Sequence, residues 1–213
     1  MIVAVDWVAI SSITTAAATL VLAVATFASV RSANRAARAA EQSLLAGLRP
    51  LLMPARSDDP PQKVAFRGDK WFRVPGGTGI AESDEDGVYL AIAVRNVGSG
   101  IAVLHGWRFY STPVRGRDAH PPVEEFRPQT RDLYIAQGEV GFWQGAVREA
   151  SDPELAALRG AIAARERIDL DVLYGDHALG QRAITRFALT PRDDGSWLAM
   201  VGRHWNVDRP DPR

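Results

Sequence analysis

Three residues late in the chain, Asp176, His177 and His204, have side chains suited to acid–base chemistry. A carboxylate that orients an imidazole allows the histidine to act as a general base in many hydrolases. Asp176 and His177 are adjacent, however, and neighbours on a strand point to opposite faces. We therefore assign no catalytic residue, and treat these three as a candidate ligand or partner surface, with a hydrolase or small-ligand sensor as the alternative function.

Metal and thiol chemistry find little support in the composition. The chain has no cysteine, which excludes disulfides, cysteine-ligated zinc, iron–sulfur clusters and a thiol nucleophile. The acidic run "ESDEDG", residues 82–87, begins like a calcium loop, but the twelfth position is Ala93 where such a loop has a bidentate glutamate. We expect no metal and no cofactor.

The stretch Gly98-Ser99-Gly100 follows an apolar run, as the phosphate-binding loop of a dinucleotide site does. Such a site needs a third small residue at the position of Val103 and a helix behind it, whereas "IAVLHGWRFY" has strand spacing. The stretch therefore predicts a turn, in which Asn96 and the two glycines tolerate a positive φ.

The overall charge argues against nucleic acid as a partner. The 25 basic and 25 acidic side chains cancel, so no net field attracts a polyanion. With 46% hydrophobic and 23% charged residues, the composition is that of a globular protein.

Residues 7–30, "WVAISSITTAAATLVLAVATFASV", contain no ionisable side chain. As a helix this stretch is ~36 Å long, against a hydrocarbon core of ~30 Å, so it predicts a membrane span in contact with the lipid bilayer. Trp7 would anchor one end at the interface. A cleaved signal peptide is disfavoured because "MIVAVD" has no basic residue, and an alanine-rich core helix of a soluble protein is the other alternative.

Arg31, Arg35 and Arg38 directly follow the apolar run. Basic residues beside a span are retained on the cytoplasmic side, so we expect a single-pass protein of the inner (cytoplasmic) membrane with a cytoplasmic C-terminal domain. An outward-facing envelope-binding module is the inverted alternative. Helix-forming residues continue to Gly47, and small residues recur at heptad spacing from Ser12, which predicts a homo-oligomer through this helix.

From residue 48 the apolar period changes to two, and short runs alternate with turn residues. This pattern predicts an antiparallel β-sandwich over 48–208, preceded by the membrane and juxtamembrane helix 1–47 and followed by a disordered tail, 209–213. The segment 75–87 has the composition of a mobile loop. In "RIDLDVLYG" the alternation predicts Asp169 and Asp171 on an exposed face.

One helix interrupts the strands, at "SDPELAALRGAIAARER". Ser151 is its expected cap, with Pro153 in the first turn and Glu154 closing a capping box. Five tryptophans follow the membrane helix, and we expect most of them in the core, while an exposed one would mark a partner surface. They are Trp71, Trp107, Trp143, Trp197 and Trp205.

The motif "LRPLL" just after the membrane helix, followed by "NVGSGIA" at the end of a strand, resembles uncharacterised bacterial single-pass membrane proteins with a C-terminal immunoglobulin-like β-sandwich domain. The resemblance implies an architecture and no particular reaction. Together these features predict a membrane-anchored, non-enzymatic protein-interaction or scaffold domain on the cytoplasmic face, with an unknown protein as partner.

Overall fold

A computed structural model describes residues 7–110, 119–177 and 181–210. The predicted fold class is confirmed, because a long apolar N-terminal helix precedes a mainly antiparallel β domain with one further α-helix. The chain divides into two compact units, Met1–Ala46 and Gly47–Arg213. The stretch "MIVAVD", used above against a signal peptide, and the last three residues of the predicted tail lie outside the described residues.

Helix α1, Trp7–Gly47, is long and apolar enough to span a membrane. Six of its hydroxyl side chains bond to the helix itself; for example, Thr19 Oγ1 donates to the carbonyl of Thr15 at 2.8 Å, and Thr26 Oγ1 to that of Leu22 at 2.8 Å. Such bonds satisfy hydroxyl groups where no water is present. The serines and threonines of α1 are thus compatible with a hydrocarbon environment.

The β domain is built from twelve strands and one α-helix within the described residues. The strands are Leu52–Pro54 (β1), Gln62–Phe66 (β2), Lys70–Val74 (β3), Thr78–Asp84 (β4), Gly87–Asn96 (β5), Ala102–Tyr110 (β6), Arg127–Pro128 (β7), Tyr134–Ile135 (β8), Val140–Val147 (β9), Ile168–Asp176 (β10), Arg182–Pro191 (β11) and Trp197–Asn206 (β12). Helix α2 is Pro153–Ala163, and Val123–Glu125 forms a 3₁₀ turn.

Ten of the strands form one sheet, in the order β1-β5-β4-β12-β11-β10-β6-β7, with β8 paired to β6 and β9 paired to β5. The join between its halves is narrow, since β4 pairs with β12 only through Gly79 with Trp197 and Thr78 with Leu198. Leu90 from one half and Leu170 from the other belong to one buried core, so the two halves face each other as layers. The hairpin β2–β3 packs outside β5 and β9 around Phe66.

The predicted mobile loop 75–87 is wrong, because β4 lies within it and pairs with β5 from Gly79 opposite Ile92 to Asp84 opposite Gly87. The glycines of this segment suggest a loop when only its composition is considered. A Cβ on Gly79 would lie 2.3 Å from Leu189 Cδ2, so this glycine is required by close packing in a strand.

The predicted exposure of Asp169 and Asp171 is also wrong. They are 1% and 0% exposed, respectively. Strand β10 lies between β6 and β11 and is covered on both faces, on one side by the main core and on the other by a cluster that includes Leu173 and Trp205. Arg167 Nε donates to Asp169 at 2.7 Å and Arg186 Nε to Asp171 at 2.7 Å, so both carboxylates are paired as burial requires.

Helix α2 is capped one residue later than predicted. Asp152 occupies the N-cap, and its Oδ1 accepts from the backbone N–H of Glu154 at 3.0 Å, whereas Ser151 is exposed. The Glu154 side chain does not close a capping box but accepts from Arg127 Nε at 3.0 Å. The cap thus serves two purposes, since it starts the helix and ties it to β7.

The turn at Gly98-Ser99-Gly100 has a different cause from the predicted one, because neither Asn96 nor these two glycines has a positive φ. A Cβ on Gly98 would lie 2.3 Å from the carbonyl oxygen of Arg49, and one on Gly100 would lie 1.8 Å from that of Leu48. The buried Asn96 amide completes the contact: Oδ1 accepts from Leu51 N at 3.1 Å, and Nδ2 donates to Ile135 O at 3.0 Å. These two glycines therefore allow the backbone of the "LRPLL" segment to pack directly against the turn.

Near the C-terminal end of the β domain, Asp208 is held by hydrogen bonds to Arg182. Its carboxylate accepts from the backbone N–H of Arg182 at 2.7 Å and from Arg182 Nη2 at 2.7 Å. Asn206 Nδ2 donates to the carbonyl of Pro210 at 3.2 Å. The C-terminal segment is thus bonded to the domain as far as Pro210.

Candidate interaction groove

The structure does not bring Asp176, His177 and His204 into one cleft. Asp176 ends β10 and is buried, His177 follows it and is exposed, and His204 is half-buried on β12, with β11 between the two strands. His204 is in register with Thr185 and, through it, with Val172. At ~4.8 Å per strand and ~3.3 Å per residue, Asp176 and His204 are roughly 16 Å apart.

His204 belongs instead to a line of hydrogen bonds that secures β1. Its Nδ1 lies 2.6 Å from Thr185 Oγ1, which is 2.9 Å from the Tyr174 hydroxyl. The Tyr174 hydroxyl accepts from the Leu52 N–H at 3.2 Å. Burial raises the pKa of Tyr174. The line joins β1 to β10, β11 and β12.

His105, on β6, has a buried ring nitrogen. Its Nε2 has no hydrogen-bond partner within the described residues and lies 2.9 Å from where a Cβ on Gly175 would be. Burial and then the nearby Arg182 lower the pKa of His105, while Asp176 acts in the opposite direction. Among the described residues no group of three His, Cys, Asp or Glu side chains could hold a metal ion.

The four residues expected to position the membrane helix, Trp7, Arg31, Arg35 and Arg38, are exposed on α1. The spacing of the arginines, four and then three residues, puts them on one side of the helix. Their placement agrees with a basic patch at one end of the apolar stretch.

A groove of about 750 Å³ on the β domain was not predicted. It lies beside β9, with β2 on one side and β7 on the other, and we call it the β9 groove. Its lining residues are Ala65, Phe66, Arg67, Trp107, Arg127, Pro128, Thr130, Arg131, Gln144, Gly145, Ala146, Val147, Arg148, Glu149 and Asp152. This volume is within the range of ligand sites in proteins.

One edge of β9 is open along this groove. All eight residues of β9 pair with β5, and no other strand of the described chain pairs with β9. Gln129 Nε2 donates to the Gln144 carbonyl at 2.8 Å, which identifies Gln144, and with it Ala146, as residues whose backbone groups face away from β5. The groove therefore offers backbone donors and acceptors in strand spacing.

The rim of the groove carries unneutralised positive charge. Arg67, Arg131 and Arg148 form no ion pair within the described residues. Their known bonds are to backbone, because Arg131 Nη1 donates to Ala65 O at 3.2 Å and Arg148 Nη2 donates to Arg67 O at 2.8 Å. Glu149 is the one lining acid that does not pair with an arginine in the described part of the chain, so the rim has a net positive charge.

Arg127 differs from the other three because it is neutralised. Its Nη2 donates to Asp152 Oδ1 at 2.8 Å and lies 2.8 Å from Glu154 Oε2. The hydrogen bond from Arg127 lowers the pKa of Asp152. Arg127 also covers the Trp107 ring at 5.6 Å, and its role is to fix β7 against α2.

The floor of the groove combines an aromatic ring with an unpartnered acceptor. Trp107 packs edge-to-face on Trp143 at 5.6 Å, and a Cβ on Gly145 would lie 2.9 Å from both rings. Gln144 is 5% exposed, and its Oε1 has no hydrogen-bond partner within the described residues. A buried acceptor without a partner is costly, so a donor brought by a ligand would be favoured here.

Sequence reasoning missed this groove because its residues come from separate segments whose arginines show no motif. Of the tryptophans, Trp107, Trp143, Trp197 and Trp205 are buried as predicted, whereas Trp71 is 54% exposed on β3. The tryptophans singled out in the sequence therefore include one residue that lines the groove, Trp107, and the Trp143 ring on which it packs. The open edge of β9 had no signal in the sequence.

Comparison with the known protein families, with curated proteins and with solved structures finds no match to this chain. The apolar helix and the β9 groove are the features of the chain that bear on its function.

Proposed function

We propose that this chain is a single-pass protein of the inner (cytoplasmic) membrane whose β domain binds a protein partner in the β9 groove on the cytoplasmic face, without catalysing a reaction. The observation that carries the proposal is the open, arginine-rimmed edge of β9. Open strand edges are a recurrent means by which proteins bind other chains.

Membrane anchoring is supported by the exposed apolar side chains of α1, such as Leu20, Leu22 and Phe27, which are 67%, 67% and 69% exposed. Such exposure is unfavourable in water and favourable in lipid. Arg31, Arg35 and Arg38 support a cytoplasmic C-terminal side, because basic residues beside a span are retained on the cytoplasmic side, and this argues against the outward-facing alternative. Self-association through the small residues of α1 is part of the same proposal.

A binding role fits the groove better than catalysis does. Apart from the Glu149 carboxylate, the charged lining groups that have no ion pair in the described part of the chain are guanidinium groups, and the buried lining group without a hydrogen-bond partner there is the Gln144 amide oxygen. Guanidinium and amide side chains bind charge and hydrogen-bonding groups. The hydrolase or sensor alternative requires Asp176, His177 and His204 to share a cleft, and it has less support because Asp176 and His204 lie on strands separated by β11.

Site-specific photo-cross-linking tests the proposal. Thr130 lines the groove and Asp193 lies in the turn between β11 and β12, and both are exposed. Each is replaced in turn by p-benzoylphenylalanine in the full chain, which is then irradiated in the membranes of its source organism. We expect a discrete protein adduct from position 130 that is absent from position 193. Equal adducts from both positions, or none from position 130, would contradict the proposal.

A further inference from the structure

We propose that the partner segment is an extended acidic stretch of polypeptide that adds to β9 as a further strand. This inference rests on the proposed function and specifies the chemistry of its partner. It combines three features of the β9 groove: the open backbone edge, the arginines without an ion pair and the Gln144 Oε1 without a hydrogen-bond partner, the last two as judged over the described residues.

The backbone edge determines that the ligand is a polypeptide. The N–H groups of Gln144 and Ala146 and the carbonyl of Ala146 point away from β5 at strand spacing. Only another extended peptide chain presents alternating acceptors and donors that match this row. Gln129 already donates to the Gln144 carbonyl. The added strand would therefore pair with the part of β9 that lies between the Gln144 N–H and Arg148.

The charges determine that the segment is acidic. Arg67, Arg131 and Arg148 all line the groove, and Arg131 and Arg148 reach the backbone of residues 65–67, so the three arginines lie close to one another. A guanidinium binds a carboxylate through two parallel hydrogen bonds. Each such pair contributes little at an exposed rim, so a segment with several carboxylates is needed for useful affinity. Neighbouring residues of a strand point to opposite sides, so acidic side chains at alternate positions would all face the arginine rim.

The Gln144 side chain adds an independent indication of a ligand. Gln144 lines the groove and is 5% exposed, and its Oε1 has no hydrogen-bond partner in the described part of the chain. A backbone or side-chain N–H of the added segment would satisfy it, which removes the unfavourable free energy of a buried unpaired acceptor.

An anionic lipid headgroup would use the same arginines, but it would leave the β9 edge and the Gln144 amide unsatisfied. Backbone protection therefore separates the two ligands. Strand addition protects the Ala146 amide from hydrogen exchange, whereas a headgroup on the arginines does not.

The test uses the full chain in nanodiscs of phosphatidylcholine and the fluorescent peptide acetyl-Glu-Val-Glu-Val-Glu-Val-amide as the probe. We expect saturable binding of this peptide, no binding of its Lys-Val counterpart, and slower exchange of the Ala146 amide in the complex. Methylation of the peptide nitrogens at alternate positions gives two further probes. One should lose binding and the other should retain it, because only one set of N–H groups faces β9.

Charge reversal supplies the matched variants. The double variant Arg67→Glu, Arg131→Glu should bind the acidic peptide at least about tenfold more weakly than the unmodified chain does. The control Arg73→Glu, Arg192→Glu makes the same change of charge at two exposed arginines outside the groove and should bind as the unmodified chain does. Thermal unfolding of both variants confirms that the fold is intact.

Three results would overturn the inference: no binding of the acidic peptide, equal weakening by both double variants, or binding that leaves Ala146 exchange unchanged. Groove-dependent capture of phosphatidylserine vesicles in place of the peptide would assign the arginines to lipid and would also overturn it. If the Thr130 adduct persists in any of these cases, the groove binds a partner of other chemistry. If that adduct is absent too, the proposed function itself fails.

Discussion

Asp171 and Arg186 form a buried bidentate ion pair on neighbouring strands, with Arg186 Nε 2.7 Å from Asp171 Oδ1 and Nη2 2.9 Å from Oδ2. The two residues are 0% and 6% exposed, respectively. The Tyr110 hydroxyl donates to Asp171 Oδ2 at 2.5 Å and accepts from Arg186 Nη2 at 2.9 Å. The rings of Tyr110 and Trp205 each lie 4.7 Å from the guanidinium, and both Asp171 oxygens have hydrogen-bond partners.

Breaking this pair is expected to destabilise the domain strongly. Asp171→Ala leaves a buried guanidinium without its counter-charge, and the free energy of unfolding should fall by about 3–5 kcal/mol. The control is Glu125→Gln at the exposed pair with Arg108, where the two side chains are 47% and 32% exposed, and where a change of about 1 kcal/mol or less is expected. Denaturant unfolding followed by tryptophan fluorescence measures both. Equal effects of the two substitutions would refute the importance of the buried pair.

The same cluster predicts a loss of stability at alkaline pH. Burial and the hydrogen bond to Asp171 raise the pKa of Tyr110 to about 12, whereas an unfolded tyrosine titrates near pH 10. The folded state thus holds the proton more tightly, so the contribution of Tyr110 is fully present below about pH 10 and decreases as the pH rises towards 12. Subtracting the ultraviolet titration of Tyr110→Phe from that of the unmodified chain gives the curve of this residue. A midpoint near pH 10 would show that Tyr110 is not held as described.

Two glycines with opposite surroundings, Gly100 and Gly160, give a further test. Gly100→Ala brings a methyl group against the Leu48 backbone and should destabilise the domain by more than about 1 kcal/mol. Gly160→Ala, in α2, meets nothing within 4 Å and should stabilise it by about 0.5–1 kcal/mol. Thermal unfolding of both variants measures these changes in stability. Destabilisation by Gly160→Ala, or an unchanged stability of Gly100→Ala, would contradict the described packing of the two glycines.

The absence of native cysteine makes the proposed topology directly measurable. We expect a single Asp193→Cys substitution in the full chain to be labelled by a membrane-impermeant maleimide only after the inner membrane is opened, and the protein to remain in membranes washed with alkaline carbonate. Labelling in cells whose outer layers alone are permeabilised would support the outward-facing topology. Release by carbonate would contradict the membrane span.

The elements that the sequence predicts well are those whose pattern is local. Helix α1 follows from an uninterrupted apolar and helix-forming run that ends near Gly47, and strands such as β5 and β12 follow from apolar runs bounded by turn residues. The alternation is reliable only where one face is solvated. It failed at Asp169 and Asp171 because both faces of β10 are covered, and no local pattern reports the layer outside a sheet.

The candidate site could not be predicted for a related reason. An open strand edge depends on which strands pair, and pairing is a property of the assembled sheet. In the sequence Gln144 has the pattern of an ordinary strand residue. Its special position arises because β5 pairs with one edge of β9 and the other edge is open. Likewise, Arg67, Arg131 and Arg148 become a charged rim only when β2, the segment after β7 and the end of β9 meet.

The most direct test of the central claim is the yield of the Thr130 photo-adduct in membranes when the groove charges are reversed. The claim predicts that Arg67→Glu with Arg131→Glu abolishes the adduct, while Arg73→Glu with Arg192→Glu, at the same expression level, leaves it unchanged. An adduct that survives reversal of the groove charges, or that is lost equally in both double variants, would contradict the claim that the arginines of this groove bind the partner.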